Sequence, residues 1–138
     1  MRGEAGIGKT RLLTDFAAHQ GAAVLMAARP GDARVPHALL SRLVRLLAQR
    51  TGVPLAPMAD WVARELARIA PELGTAPAAP LDALRLQQAV AELLAQRGAG
   101  SVALIALDDL HFADDATLVM LPSLTTASGG EAIAWLMR

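Results

Sequence analysis

The chain has 138 residues, 54% hydrophobic and 19% charged, a balance that excludes intrinsic disorder and suffices for the core of one domain. Thirteen basic and thirteen acidic side chains cancel to a net charge of zero, which removes the basic footprint of a nucleic-acid or anionic-membrane surface. No cysteine is present, so disulfide scaffolds, thiolate metal sites and cysteine nucleophiles are excluded.

Gly8 to Gln20 is predicted as a helix, because Leu12, Leu13, Phe16 and Ala17 share one face and Gly21 ends the pattern. Residues 22–28 form an apolar run closed by Arg29-Pro30-Gly31-Asp32, as expected of a strand buried on both faces in a parallel sheet. His37 to Arg50 is amphipathic. Leu39, Leu40, Leu43, Val44, Leu46 and Leu47 make the apolar stripe, with Arg42, Arg45 and Arg50 turned away. Thr51-Gly52-Val53-Pro54 ends that helix. The next is predicted over Ala59 to Ile69, with Trp61, Val62, Leu66 and Ile69 inward. Pro71 to Pro80 is a connector without periodicity.

A third such helix runs from about Leu81 to Arg97, with Asp82 in its first turn and Gly98-Ala99-Gly100 stopping it. Ser101 to Leu107 is a second strand, ending in Asp108-Asp109. Asp114 is placed to cap a short helix from Asp115 to about Met120, which Pro122 cuts or kinks. Ile133 to Met137 reads as a third strand. Residues 22–28 and 102–107 are among the longest unbroken apolar runs, too short to span a bilayer, and no signal-peptide segment follows Met1. Helices alternating with buried strands predict an α/β fold, a three-layer sandwich around a parallel sheet.

Gly3-Glu4-Ala5-Gly6-Ile7-Gly8-Lys9-Thr10 fits G-x-x-x-x-G-K-[ST] without a mismatch. Glycines let successive N–H groups curl around phosphate oxygens, and the following helix adds its positive end. Lys9 is the only lysine among the thirteen basic residues. Chance placement of these residue types would occur about once in two thousand such chains. The plain alternative is a glycine-rich turn into a helix that binds nothing. In the phosphate-binding reading Lys9 reaches the β- and γ-phosphates and the Thr10 hydroxyl ligates Mg²⁺.

A site of this kind needs a second part, a carboxylate at the end of a buried strand facing Mg²⁺. Asp108 supplies it, and Asp109 is placed to orient or deprotonate the attacking water. Adjacent aspartates after a strand are otherwise a solvated turn; the phosphate loop makes that the lesser reading. His111 reads as a loop histidine beside the site rather than a γ-phosphate sensor or zinc ligand, since no ligand partners lie near it. Asp114 and Asp115 suit capping better than an extension of the acidic site. His19 and His37 have no partner pattern and read as surface or boundary residues.

Gly3 to Leu13 resembles the Walker A segment of AAA-type, STAND-class signalling ATPases, such as the ATPase module of large LuxR-type transcriptional regulators and some multidomain nucleotide cyclases. Leu107-Asp108-Asp109-Leu110-His111-Phe112-Ala113-Asp114-Asp115-Ala116-Thr117-Leu118 is similar to their Walker B segment. Residues 28–36 and the Leu/Arg helix after them look like the linking region. The resemblance implies an ASCE-type P-loop core spanning 1–138, with Walker A at 3–10, Walker B at 102–109, and the strand near Ile133 inserted between the two motif-bearing strands. It implies ATP and Mg²⁺ as ligands, with Gly3 to Arg11 around the phosphates, Thr10 and Asp108 on the metal, and Lys9, Asp109 and Arg138 as catalytic residues. Arg138 matches a sensor arginine for the γ-phosphate; the alternative is a frayed end.

Phe112 stands where the family usually has tryptophan. Asp109 stands where fast motors carry glutamate, which favours a slow switch. The implied setting is cytoplasmic, within a larger regulator, with other domains or self-association as output and no direct contact with nucleic acid or membrane. The resemblance also implies a strand before Gly3, and a fifth strand and helical lid after Arg138. Their absence from the sequence leads to the expectation of an incomplete domain that binds ATP weakly or not at all by itself. A non-catalytic nucleotide-binding or interaction module is the other reading.

Overall fold

The computed structural model describes residues 23–49, 58–100, 102, 104–127 and 133–138. Three strands lie in one parallel sheet: β1 (Ala23–Ala27), β2 (Leu104–Asp108) and β3 (Ala134–Met137), ordered β1-β2-β3. Between β1 and β2 run α1 (Ala38–Ala48), α2 (Asp60–Leu66) and α3 (Ala83–Gly100); α4 (Asp115–Ala127) links β2 to β3. Both crossovers advance across the sheet in the same direction. A uniform crossover hand therefore places all four helices on one face.

Burial agrees with that layout. Val24 and Ile105 lie in one cross-strand row with Trp135, and they pack with the helices in a single core. Leu40, Leu43, Val44 and Leu47 of α1, Val62 and Leu66 of α2, and Met120, Leu121 and Leu124 of α4 join it. In α3, Leu86, Ala89, Val90, Leu93 and Leu94 repeat at helical spacing, and all are completely buried. The alternate row, Leu25, Ala106 and Leu136, faces the other way, where none of the described helices lies.

One residue departs from the expectation that β1 is buried on both faces: Leu25 is 50% exposed, whereas Leu104, on the same face of β2, is buried. The predicted Gly8–Gln20 helix lies outside the described residues. Six local expectations also change. Leu46 is exposed, because it sits roughly a quarter-turn from the middle of the α1 stripe. Trp61 is exposed rather than inward, and its ring lies under the Arg85 guanidinium, 4.9 Å away. Arg42 does not face away from the protein. Its guanidinium holds Asp32 at 2.6 Å and the Ala27 carbonyl at 3.2 Å, pinning the end of β1 to α1. The Arg42 hydrogen bond, despite partial burial, brings the Asp32 carboxyl below its usual range.

The last three differences concern helix ends. α3 continues through Gly98 to Gly100 instead of stopping there. Likewise α4 runs past Pro122 to Ala127. Proline deletes only its own N–H bond to the preceding turn, and Met120, Leu121 and Leu124 anchor both sides of the ring in the core. Asp82 accepts the Leu84 N–H at 3.0 Å, so it precedes α3 as a cap rather than sitting in its first turn.

Candidate functional site

Parallel strands bring their carboxyl ends to one edge, and the side chains there define the site. β2 ends in Asp108, which shares its row with Ala27 and points to the same face as Ala106 and Leu136. The backbone laces the three strand ends together. Ala28 N–H donates to the Asp108 carbonyl at 2.9 Å, Arg138 N–H to Leu107 at 3.0 Å, and Leu110 N–H to Arg138 at 2.9 Å. These bonds hold Asp108 and Arg138 side by side. Arg138 Nη2 lies 3.1 Å from Asp108 Oδ2, while Oδ1 accepts the Asp109 N–H at 2.8 Å.

Next to this pair lies an open concavity of about 360 Å³, whose lining includes Leu25, Ala106 and Leu136 together with Asp108 and Arg138. An apolar floor beside one carboxylate and one guanidinium suits a ligand that carries both a cation and an anionic group. Asp108 keeps about half of its side-chain surface exposed (45%). A single carboxylate with that much open space fits Mg²⁺, which retains several waters and takes only one or two carboxylates.

Asp109 has φ 57 and ψ 40, the left-handed region that aspartate tolerates better than most residues. That conformation starts the short 3₁₀ turn Leu110–Phe112, closed by Phe112 N–H to Asp109 at 2.9 Å and Ala113 N–H to Leu110 at 3.0 Å. Its carboxylate is exposed. His111 is exposed too, and its ring lies 4.1 Å from that of Phe112, a loop histidine beside the site as expected. Phe112 packs on Ala28, Leu39 and Ala113 beneath the turn.

Asp114 is 1% exposed and does more than the local cap expected of it. It accepts the Thr117 N–H at 2.9 Å and the Thr117 hydroxyl at 2.8 Å, capping α4. It also accepts the His37 N–H at 2.7 Å and the Leu39 N–H at 3.2 Å, and so caps α1. Thr117 Oγ1 in turn accepts the Leu40 N–H at 3.2 Å. Burial alone would raise the Asp114 carboxyl. The hydrogen bonds from Thr117, Leu39 and His37 outweigh it and hold the group below the ordinary carboxylate range. His37, at the start of α1, offers no side-chain cap and has φ 64. Nothing in the local sequence at 35–37 foretells that the cap comes from 77 residues away.

The structure thus brings Asp108 and Arg138 together, while Asp109 joins them only through its backbone N–H and does not line the concavity. The candidate phosphate-loop residues Gly3, Glu4, Ala5, Gly6, Ile7, Gly8, Lys9, Thr10 and Arg11 lie outside the described residues, as does His19. Among the described residues, no helix is long and apolar enough to cross a membrane. Beyond the site, one feature escaped the sequence reading: Glu65, 2% exposed, held by Arg68 at 3.1 Å and by Arg85 at 3.5 Å.

A family model described as an AAA ATPase domain matches residues 2–135. No curated protein and no solved structure matches the chain.

Proposed function

Because the chain belongs to the AAA ATPase domain family, a family of nucleotide-binding modules, we propose that it is an ATP-binding, slowly hydrolysing switch in a multidomain signalling or transcriptional regulator of the STAND or LuxR type. The observation that carries this reading is the Asp108–Arg138 pair, a carboxylate and a cation at the carboxyl ends of neighbouring parallel strands. In the same reading β3 is the inserted strand of an ASCE core; its pairing beside β2 supports that assignment.

Each residue then has a distinct task. The N–H groups of Gly3 to Arg11 and the Lys9 ammonium bind the phosphates. Thr10 and Asp108 would hold the magnesium ion, which when bound neutralises charge on the β- and γ-phosphates. Asp109, exposed at the mouth of the turn, orients the attacking water or takes its proton. Arg138 leaves Asp108 to meet the γ-phosphate, where its fixed charge favours the triphosphate over the diphosphate. ATP as ligand points to a cytoplasmic setting, with other domains or a second copy of the chain receiving the signal.

The Lys9→Ala variant of the full-length protein, titrated with Mg-ATP by calorimetry, tests the assignment. Binding lost is the expected result; affinity equal to wild type overturns it. A second reading, a nucleotide-holding interaction module without hydrolysis, is favoured by the short Asp109 carboxylate in place of a glutamate. Single-turnover hydrolysis with Asp109→Asn separates the two, since a pure holder gives the same rate for both proteins.

A further inference from the structure

Among the described residues only two other than glycine have a left-handed backbone, His37 and Asp109. Such residues persist where the surroundings over-determine them. Both belong to segments anchored by one buried carboxylate. Asp114 takes the His37 and Leu39 N–H groups at the start of α1, and the Thr117 N–H and hydroxyl at the start of α4. The turn that carries Asp109 is therefore tied at both ends. At one end it joins β2 and Arg138 through backbone bonds; at the other it enters Asp114 directly through buried Ala113.

Resting on the ATPase reading above, we propose that Asp114 is a positioning residue: by capping α1 and α4 at once, it sets the turn 109–113 and thereby the aim of the Asp109 carboxylate at the reacting phosphate. Asp114 itself does not line the ligand cavity, and apart from the Thr117 hydroxyl its hydrogen bonds come from backbone N–H groups. Thr117 is its relay, donating to Asp114 while accepting from Leu40. Phosphate affinity belongs to Gly3–Thr10 on another segment. Loss of the Asp114 carboxylate therefore slows chemistry and leaves nucleotide affinity alone.

The full-length wild type is compared with Asp114→Asn, Thr117→Val and Thr117→Ser, with rates normalised to folded protein. Asp114→Asn and Thr117→Val are expected to lower single-turnover ATP hydrolysis about tenfold or more, as misplacement of an otherwise intact group does. Mg-ATP affinity should stay within about twofold, and Thr117→Ser, which keeps the hydroxyl, should restore the rate. Hydrogen exchange of the Leu39 and Leu40 amides should quicken in Asp114→Asn without nucleotide. Unchanged hydrolysis per folded molecule, or a rate loss matched by an equal loss of affinity, overturns the positioning role. If Lys9→Ala abolishes binding while Asp114→Asn hydrolyses normally, only the positioning role fails. Absence of nucleotide binding in the wild type removes the ATPase reading and this role with it; the exchange result then still reports on the double cap.

Discussion

Arg138 Nη2 lies 3.1 Å from Asp108 Oδ2, joining the ends of two adjacent strands across the face of the sheet opposite the helices. Both side chains are 45% exposed, so water screens the pair and its worth to folding is small. Its position matters more: the guanidinium rests on the carboxylate assigned to the metal. Arg138→Ala should change the free energy of unfolding by less than about 1 kcal/mol, measured in urea. By contrast, the preference for ATP over ADP should largely disappear in calorimetry, because the discriminating charge is gone. A retained preference would remove Arg138 from the site.

Asp109, in the proposed role of water-orienting carboxylate, provides a clean test of hydrolysis for a backbone reason. At φ 57, asparagine keeps the left-handed conformation as readily as aspartate does. Asp109→Asn should therefore leave stability within about 0.5 kcal/mol while abolishing hydrolysis. Asp109→Glu should lower stability by about 1 kcal/mol, since a longer side chain tolerates that region less well. Equal urea midpoints for the glutamate and asparagine variants would contradict the strain argument.

These residues also show what sequence does and does not carry. β1, β2 and β3 were legible because each is a short apolar run between turn residues, and Asp108 and Arg138 sit at their ends. Parallel pairing then follows from the helices between them. The pairing partner of Asp108, the second cap made by Asp114 and the burial of Glu65 were not legible. Each depends on residues far apart in the chain: 30 positions for Arg138 and Asp108, 77 for Asp114 and His37. Local periodicity ends where tertiary contact begins. Leu46 and Trp61 were misassigned for a related reason, since each lies at the margin of an apolar stripe and the neighbouring helices decide which margin is covered.

That margin can be measured. Leu43 is 1% exposed in the core of α1, and its truncation to alanine should cost about 2–5 kcal/mol, depending on how far the cavity collapses. Leu46, on the same helix, is 40% exposed, so Leu46→Ala should cost no more than about 1 kcal/mol. Comparable losses for the two variants in chemical denaturation would show that the α1 stripe is rotated toward Leu46.

The Asp114 carboxylate gives stability a defined acid limb. Its group is held below the ordinary value of 3.8 because four donors favour the ionised form more than burial disfavours it. A depressed carboxyl binds fewer protons folded than unfolded, so its contribution is complete above the unfolded value and is lost as pH falls through the folded one. The window therefore lies from about pH 4 downward. Asp114→Ala removes the acceptor for two helix starts, and at neutral pH it should cost about 2–4 kcal/mol, two caps of the usual size. Below the window wild type protonates the same carboxyl, so the gap between the two proteins should narrow with acid. Thermal unfolding of both proteins from pH 7 to pH 3 checks this. A gap that stays constant over that range would mean that the carboxylate charge is not what joins α1 to α4.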